Sequence, residues 1–168
     1  MPATYEPIAS TTVGSATSSV TFNSIPSTYT DLRLVFIGNC DTASRYFTLR
    51  FNSDSSANYS MRYLTGDGST SATSWRTGDT ALYTNNYSGS DTTKQQLITC
   101  DIFSYNESRM KTVLSQTASD KTGSGTVDAA VSLWKSTSAI TSVTALYMVA
   151  GGNIAANSVI SLYGIKSA

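Results

Sequence analysis

Apolar and polar residues alternate along most of the chain with a period of two, which is the pattern of β-strands. The segment DLRLVFIG, residues 31–38, carries apolar residues at every second position and also at Val35 and Ile37 between them. Apolar residues on both faces predict a strand that is covered on both sides. Segments with a single apolar face predict strands that are buried on that face only.

Several further segments show one apolar face. YFTLRF predicts a strand with Phe47, Leu49 and Phe51 inward, and NYSMRYL predicts a strand that forms a hairpin with it or lies beside it. The next residues, 65–80, are polar and predict a long loop of the kind that often carries contacts or function.

The segment VDAAVSLWK has four apolar positions in alternation with more polar ones. They predict a strand with these four residues inward: Val127, Ala129, Val131 and Leu133. The residues predicted to point outward are Asp128, Ser132 and Trp134.

Clusters of Gly, Asn, Asp and Ser separate these segments, and no segment keeps a helical period over three turns. About ten strands at a spacing of roughly 10–15 residues, with no helices between them, predict antiparallel pairing. We therefore expect an all-β fold, an antiparallel two-sheet β-sandwich that is jelly-roll-like. Residues 17–168 are predicted to form this single domain, and residues 1–16 an extended N-terminal arm across a neighbouring subunit. Tyr5 and Ile8 are its candidate contacts.

The charge balance narrows the choice of partner. Lys and Arg number 11, Asp and Glu number 11, and charged residues make up 13% of the chain. A neutral chain with scattered basic residues lacks the basic surface that nucleic acid requires, so we expect no nucleic-acid partner. No apolar segment reaches the ~18 residues of a membrane span, so we expect no membrane partner. The first residues lack the basic n-region and the apolar h-region of a secretory signal. We therefore expect the chain to be made in a cytoplasm and used without secretory export.

Catalytic chemistry has little basis in this composition. The chain contains no histidine, which excludes a Ser-His-Asp or Cys-His nucleophile and the usual zinc site. Most of its aspartates lie in turn segments, where turn chemistry explains them. We therefore expect no enzyme, no metal and no cofactor. At NSDSSAN, a calcium ion held by Asn52, Asp54 and Asn58 is the alternative to an ordinary polar turn.

The cysteines are too few for a disulfide framework. We expect Cys40 and Cys100 to be reduced, half-buried thiols, with one bridge between neighbouring strands as the alternative.

Four aromatic residues are candidate contacts with a partner or a glycan. Trp75 lies in the polar stretch, Tyr83 and Tyr87 flank the residues TNN, and Trp134 falls on the face of its strand that is predicted to be polar. Exposed aromatic rings stack on sugars, and they are also enriched where subunits meet, so both interpretations stand.

Several phrases of the chain resemble small structural proteins of tailed bacteriophages, especially those of cyanobacteria and marine bacteria. The first phrase is YEPIASTT, and the second is SVTFNSIPSTYTDLRL, residues 19–34. LRFNSDSSANYS, LTGDG and the closing SLYGIKSA are similar too. The stretch 75–128 carries little of the resemblance.

The resemblance implies a virion protein that is assembled in the host cytoplasm. A decoration or cement protein that binds the outer face of the head shell and stabilises it is the first expectation, because no shaft repeat of a fibre is present. Its partners would be other virion proteins, with the major capsid protein foremost, and a homotrimer is expected. The alternatives are a tail-fibre or tail component that binds a receptor or host-surface glycan and, third, an enzyme or other cellular protein.

Overall fold

The computed structural model describes residues 5–42, 46–84, 92–120, 125–148 and 152–166. These residues contain twelve strands and no helix. The strands are β1 Tyr5–Thr12, β2 Ser19–Phe22, β3 Asp31–Gly38, β4 Tyr46–Phe51, β5 Tyr59–Gly66, β6 Ser71–Asp79, β7 Leu82–Tyr83, β8 Gln96–Ile102, β9 Lys111–Ser119, β10 Thr126–Trp134, β11 Val143–Met148 and β12 Val159–Ile165.

The strands form two antiparallel sheets. The large sheet has the order β1-β12-β3-β8-β9-β10-β5-β6, and the small sheet has the order β2-β11-β4-β7. Within this order, β1-β12-β3-β8 and β2-β11-β4-β7 are the two four-stranded halves of a jelly roll, because the chain crosses from one sheet to the other between β1, β2, β3 and β4. The predicted all-β sandwich of jelly-roll type is confirmed.

Two inserted segments enlarge this jelly roll. The β5–β6 hairpin lies between β4 and β7, and the strands β9 and β10 lie between β8 and β11. The insertions pair with each other through β10 and β5, so they extend the large sheet by four strands. The large sheet therefore reaches beyond the small one.

Aromatic side chains fill the space between the sheets. Phe36 of the large sheet stacks on Phe47 of the small sheet with ring centroids 4.4 Å apart, and Tyr147 closes on both rings edge-on. Further along, Phe51 of the small sheet contacts Trp134 of the large sheet at 5.5 Å. Each ring removes a large apolar area from water, so this layer holds the sheets together.

The predicted N-terminal arm is wrong for residues 5–12. They form β1, which pairs along its length with β12 at the edge of the large sheet. The register shifts between Pro7 and Ala9. Proline and a bulge are features of edge strands, because the outer side of such a strand needs no ladder hydrogen bonds.

The predicted loop at residues 65–80 and the predicted pairing of YFTLRF with NYSMRYL are also wrong. Most of the stretch is strand β6, which follows a tight turn in which Gly68 has φ +88°. β4 and β5 lie in different sheets. The residues between them cross the sandwich, and Tyr59 at the start of β5 reaches back to accept a hydrogen bond from the amide of Phe51.

Strand β3 is covered on one face only. Leu32, Leu34 and Phe36 are fully buried, as the alternation predicted. The other face, with Val35 and Ile37, points away from the small sheet, and Ile37 is 43% exposed. The second cover that the sequence predicts is not supplied by the described part of the chain.

We expect Gly164→Ala to destabilise the fold by about 1–3 kcal/mol, because a new methyl group forces overpacking. A Cβ at this position of β12 would lie 2.3 Å from Cγ of Tyr29, whose ring covers the glycine. Gly66→Ala is the matched control, since its Cβ would meet its nearest neighbour at 3.7 Å. Urea unfolding of the two variants measures the difference, and equal midpoints would contradict the close packing of Tyr29.

Candidate interaction surface

The outer face of the large sheet is the side that points away from the small sheet. Large apolar side chains on this outer face are 41–62% exposed, and they come from five different strands and from edge strand β6. These residues are Ile37, Leu64, Trp75, Leu97, Leu114, Val127 and Val131. Single exposed apolar residues are ordinary, but a continuous group of them marks an interaction surface.

The strand register aligns the apolar residues in a straight row across the sheet. Ile37 lies opposite Leu97, Leu97 opposite Ala118, and Ala118 opposite Val127. Val159 continues the row on one side. We call this line the apolar row. Since neighbouring side chains in such a row are in contact, the residues form one surface.

A second row lies next to the apolar row and is uncharged as well. Across β3, β8, β9, β10 and β5 it consists of Val35, Thr99, Gln116, Ala129 and Leu64. Small side chains at Ala118, Ala129 and Gly66 leave a shallow groove of about 470 Å³ between larger ones. The open side of the groove carries no charged side chain. Asp128 lies at the rim of the groove, but its side chain belongs to the inward face of β10 and is buried.

Charges on the outer face are concentrated in a third row. Across β3, β8, β9, β10, β5 and β6, this third row consists of Arg33, Asp101, Leu114, Val131, Arg62 and Trp75. Arg33 donates to both carboxylate oxygens of Asp101, with Nη2 at 2.7 Å from Oδ2. The same guanidinium lies 5.5 Å from the centroid of the Tyr5 ring, and the hydrogen bonds from Arg33 to Asp101 raise the pKa of Arg33. The pair therefore neutralises itself within the chain.

The predicted facing of β10 is wrong. Val127 and Val131 point outward and are 62% and 55% exposed, whereas Asp128, Ser132 and Trp134 are buried. The inward polar groups of the neighbouring strand β9 have partners: Ser115 and Thr117 both donate to the carbonyl of Thr84. Hydrogen bonds thus replace apolar packing under this part of the sheet.

Trp134, a predicted surface contact, is a core residue with 2% exposure. Its indole Nε1 donates to Oδ2 of Asp54 at 2.8 Å, and its ring packs against those of Phe51 and Tyr59, which also contact each other. Burial opposes ionisation of the Asp54 carboxyl, but hydrogen bonds from Asn58, Trp134 and the Ser56 amide together lower its pKa. Trp134 therefore anchors the end of β10 and contacts no partner.

Tyr83, another predicted contact, is also buried, with 5% exposure. The guanidinium of Arg76 lies 4.2 Å from the centroid of its ring, and Tyr46 meets the same ring edge-on. Asp79 holds Arg76 through two hydrogen bonds of 3.0 Å. Tyr87 lies outside the described residues.

Trp75 is the predicted contact that the structure leaves exposed, at 62%. It lies on β6 opposite Arg62 of β5, at the end of the third row. A shallow depression beside it is lined by hydroxyl residues that include Ser60, Thr77 and Thr112.

The predicted arm contacts separate in the structure. Tyr5 is 43% exposed on the outer face and lies against Tyr163 with ring centroids 5.8 Å apart. Ile8 packs against the main core from the edge strand. Tyr5 is thus a residue of the outer face, and Ile8 belongs to the fold.

Two of the three residues considered for calcium, Asn52 and Asp54, have their side-chain oxygens engaged with protein donors. Oδ1 of Asn52 accepts hydrogen bonds from the amides of Thr141 and Ser142. Both carboxylate oxygens of Asp54 accept hydrogen bonds, and Asn58 donates its side-chain amide to one of them. These contacts have the pattern of a turn that is held by its own side chains.

Other polar groups show the same pattern. Within the described residues, no three His, Cys, Asp or Glu side chains converge as a metal site would require. Asp67 accepts hydrogen bonds from the backbone amides and hydroxyls of Thr70 and Ser69, which hold the pKa of its carboxyl well below the usual range. Cys40 and Cys100 are fully buried thiols, and burial raises the pKa of Cys100.

The residues of the apolar row were not predicted as a site. A signal was present in the sequence, since β3 carries apolar residues on both faces. Leu97, Leu114 and Val127 became recognisable only when the register aligned them with Ile37.

No family model, no curated protein and no solved structure matches the chain. A search of the described residues finds no helix of the length and apolarity that crossing a membrane requires.

We expect Asp54→Asn to lower the free energy of unfolding at pH 7 by about 1–3 kcal/mol, because a charged acceptor of the Trp134 indole is lost. Because the folded-state pKa of Asp54 is lowered, its contribution is complete above the unfolded value near 4 and is lost as the pH falls through the folded value. The difference between the two proteins should therefore shrink in acid.

Chemical denaturation at pH 7 and at about pH 2.5 measures this change. Asp120→Asn, at an exposed position, is the control and should leave the free energy of unfolding unchanged at both values. A difference between wild type and Asp54→Asn that does not depend on pH would contradict the ionised acceptor.

Proposed function

We propose that the chain is a structural protein of a tailed-bacteriophage virion, a decoration protein that binds the outer face of the head shell and stabilises it. The observation that carries the proposal is the exposed apolar outer face of the large sheet, which consists of the apolar row and its neighbours. A surface of this kind is suited to contact with other proteins.

The polar groups of the chain favour the same role. Polar side chains that could take part in chemistry, such as Asp54, Asp67 and Asn52, are occupied by hydrogen bonds within the protein. Within the described residues, no group of three or more His, Cys, Asp or Glu side chains converges on one site, so no such cluster offers support for an enzyme. A rigid sandwich with an apolar face acts by packing, which requires neither a cofactor nor a moving part.

Stabilisation of a shell follows from the physics of the contact. A decoration protein that binds only the assembled shell lowers the free energy of that state by mass action, and many copies add their contributions. The major capsid protein is the expected partner, in keeping with the phrases of the chain that resemble phage structural proteins. The proposed location is the virion, after assembly in the host cytoplasm.

Copy number in purified particles tests the proposal. Quantitative mass spectrometry of virions that carry the chain should find hundreds of copies, and particles that lack it should lose their genome at a lower temperature. Addition of the purified chain to those particles should restore the higher temperature. A handful of copies, or no change in heat resistance, would contradict a role on the shell.

A receptor-binding or glycan-binding tail component is the second candidate, and Trp75 favours it. The ring is 62% exposed and lies beside the hydroxyl groups of Ser60 and Thr77 and the guanidinium of Arg62. Stacking of a sugar ring on tryptophan, with hydrogen bonds from such neighbours, is a common mode of glycan binding.

Binding to polysaccharide from the host surface distinguishes the second candidate. If the chain binds a glycan at this position, Trp75→Ala should weaken binding by roughly fivefold or more, since stacking on an aromatic ring is worth on the order of 1 kcal/mol. Phe103→Ala, which removes another partly exposed ring, is the control. Equal binding by wild type and Trp75→Ala would remove this candidate.

A further inference from the structure

We infer that the outer face of the large sheet is covered by the same face of a second copy of this chain, in a two-fold dimer. The inference rests on the proposed function in so far as both assign the chain a role in contact with proteins. It assigns the outer face to contact between copies, so the dimer would bind the shell through surfaces other than this face.

The area of the face agrees with the requirement of a stable dimer. Seven inter-strand spacings of about 4.8 Å and four rows of outward side chains give the face roughly 34 Å by 20 Å, or about 700 Å² in projection. A stable interface buries ~800 Å² on each partner. The inserted strands β9, β10, β5 and β6 supply half of this width, so a jelly roll without them would offer too small a face.

The charge distribution permits a copy of the chain to bind itself. The apolar row and its neighbouring row are uncharged, so their approach to an identical surface meets no repulsion. In the third row, Arg33 and Asp101 neutralise each other within one chain, and Arg62, near the β6 end of that row, is the exposed charge that a second copy would have to accommodate. The net charge of the whole chain is zero, which removes long-range repulsion between copies.

The shape of the face favours a two-fold arrangement. Because the apolar residues lie in one straight row, the row of one copy can pack on the same row of a second copy. The contact would resemble the face-to-face packing of the large and small sheets within one chain. Such a contact is isologous, and two-fold dimers are the commonest result. A three-fold ring needs two different complementary patches, so this inference replaces the expected trimer with a dimer.

The second copy also accounts for strand β3. Its sequence is that of a strand with cover on both sides. Within the described chain, however, no second layer lies over Val35 and Ile37, and Ile37 is 43% exposed. In the dimer these residues, together with Leu97 and Val127, would lie between two large sheets. The apolar residues on both faces of β3 would then be explained by two layers that pack on it. One is the small sheet of the same chain, and the other is the large sheet of the second copy.

Sedimentation equilibrium of the full chain at micromolar concentration tests the inference. We expect a mass of twice the 17.8 kDa of one chain. Leu97→Glu and Val127→Glu each place a charge in the apolar row at positions that are 46% and 62% exposed in one chain, so the fold tolerates them. Both should raise the dissociation constant by at least roughly 100-fold, because an unpaired charge would be buried.

Met110→Glu is the matched control, because Met110 is 49% exposed and lies before β9, outside the rows. It should leave the dissociation constant unchanged. Methyl NMR spectra of the unmodified chain give an independent reading, since the signals of Leu97 and Val127 should shift on dilution and that of Met110 should not. A monomer or a trimer, or a dimer that survives both charged variants, would overturn the inference.

Binding of the same samples to shells that lack the chain separates this inference from the proposed function. A monomer that binds and stabilises shells contradicts the dimer and leaves the proposed function intact. A dimer that fails to bind shells supports the inference and contradicts the proposed function. A monomer whose binding to shells is lost in Val127→Glu assigns the outer face to the capsid protein and overturns the dimer.

Discussion

The layer of aromatic rings between the two sheets is the contact on which the rest of the molecule depends. Phe36 and Phe47 stack across the sandwich at one end, and Trp134 packs against Phe51 and Tyr59 further along. Each of these rings fixes which face of its strand is buried, since successive residues of a strand point to opposite sides. Once Trp134 is inside, every second residue of β10 must also point inward.

That constraint gives the inserted strands an unusual distribution of side chains. Serine, threonine and Asp128 take more than half of the inward positions of β9 and β10, and leucine, valine and alanine take most of the outward ones. Hydrogen bonds satisfy the inward hydroxyls of Ser115, Thr117, Ser119 and Thr126, which is why these polar groups are tolerated inside. The apolar outward residues have no cover of their own within the described chain, and this is the physical basis for the proposed contact with another protein.

The abundance of Ser, Thr, Asn and Asp serves the turns more than any chemistry. Asp67 closes the turn between β5 and β6, and Asp41 accepts two hydrogen bonds from Asn153, at 2.8 and 2.7 Å. Asn52 holds the segment before β11 in the same way. Because these oxygens are already occupied, hydrogen bonds within the protein hold these loops in place.

Local patterns were enough to predict the sandwich, the inward faces of β3 and β4 and the absence of helices, because period-two alternation reflects the geometry of a single strand. They were not enough for β10. Its alternation predicted the apolar residues to face inward, whereas the burial of Trp134 and the register with β9 turn them outward. Nor did they separate β4 from β5, because two strands that follow each other in sequence can pair or can cross to the opposite sheet.

Edge strands β1 and β6 were missed because apolar and polar residues alternate only weakly along an edge strand. The outer face joins residues from strands that are far apart in sequence, and pairing across the sheet, which no local pattern encodes, brings them together.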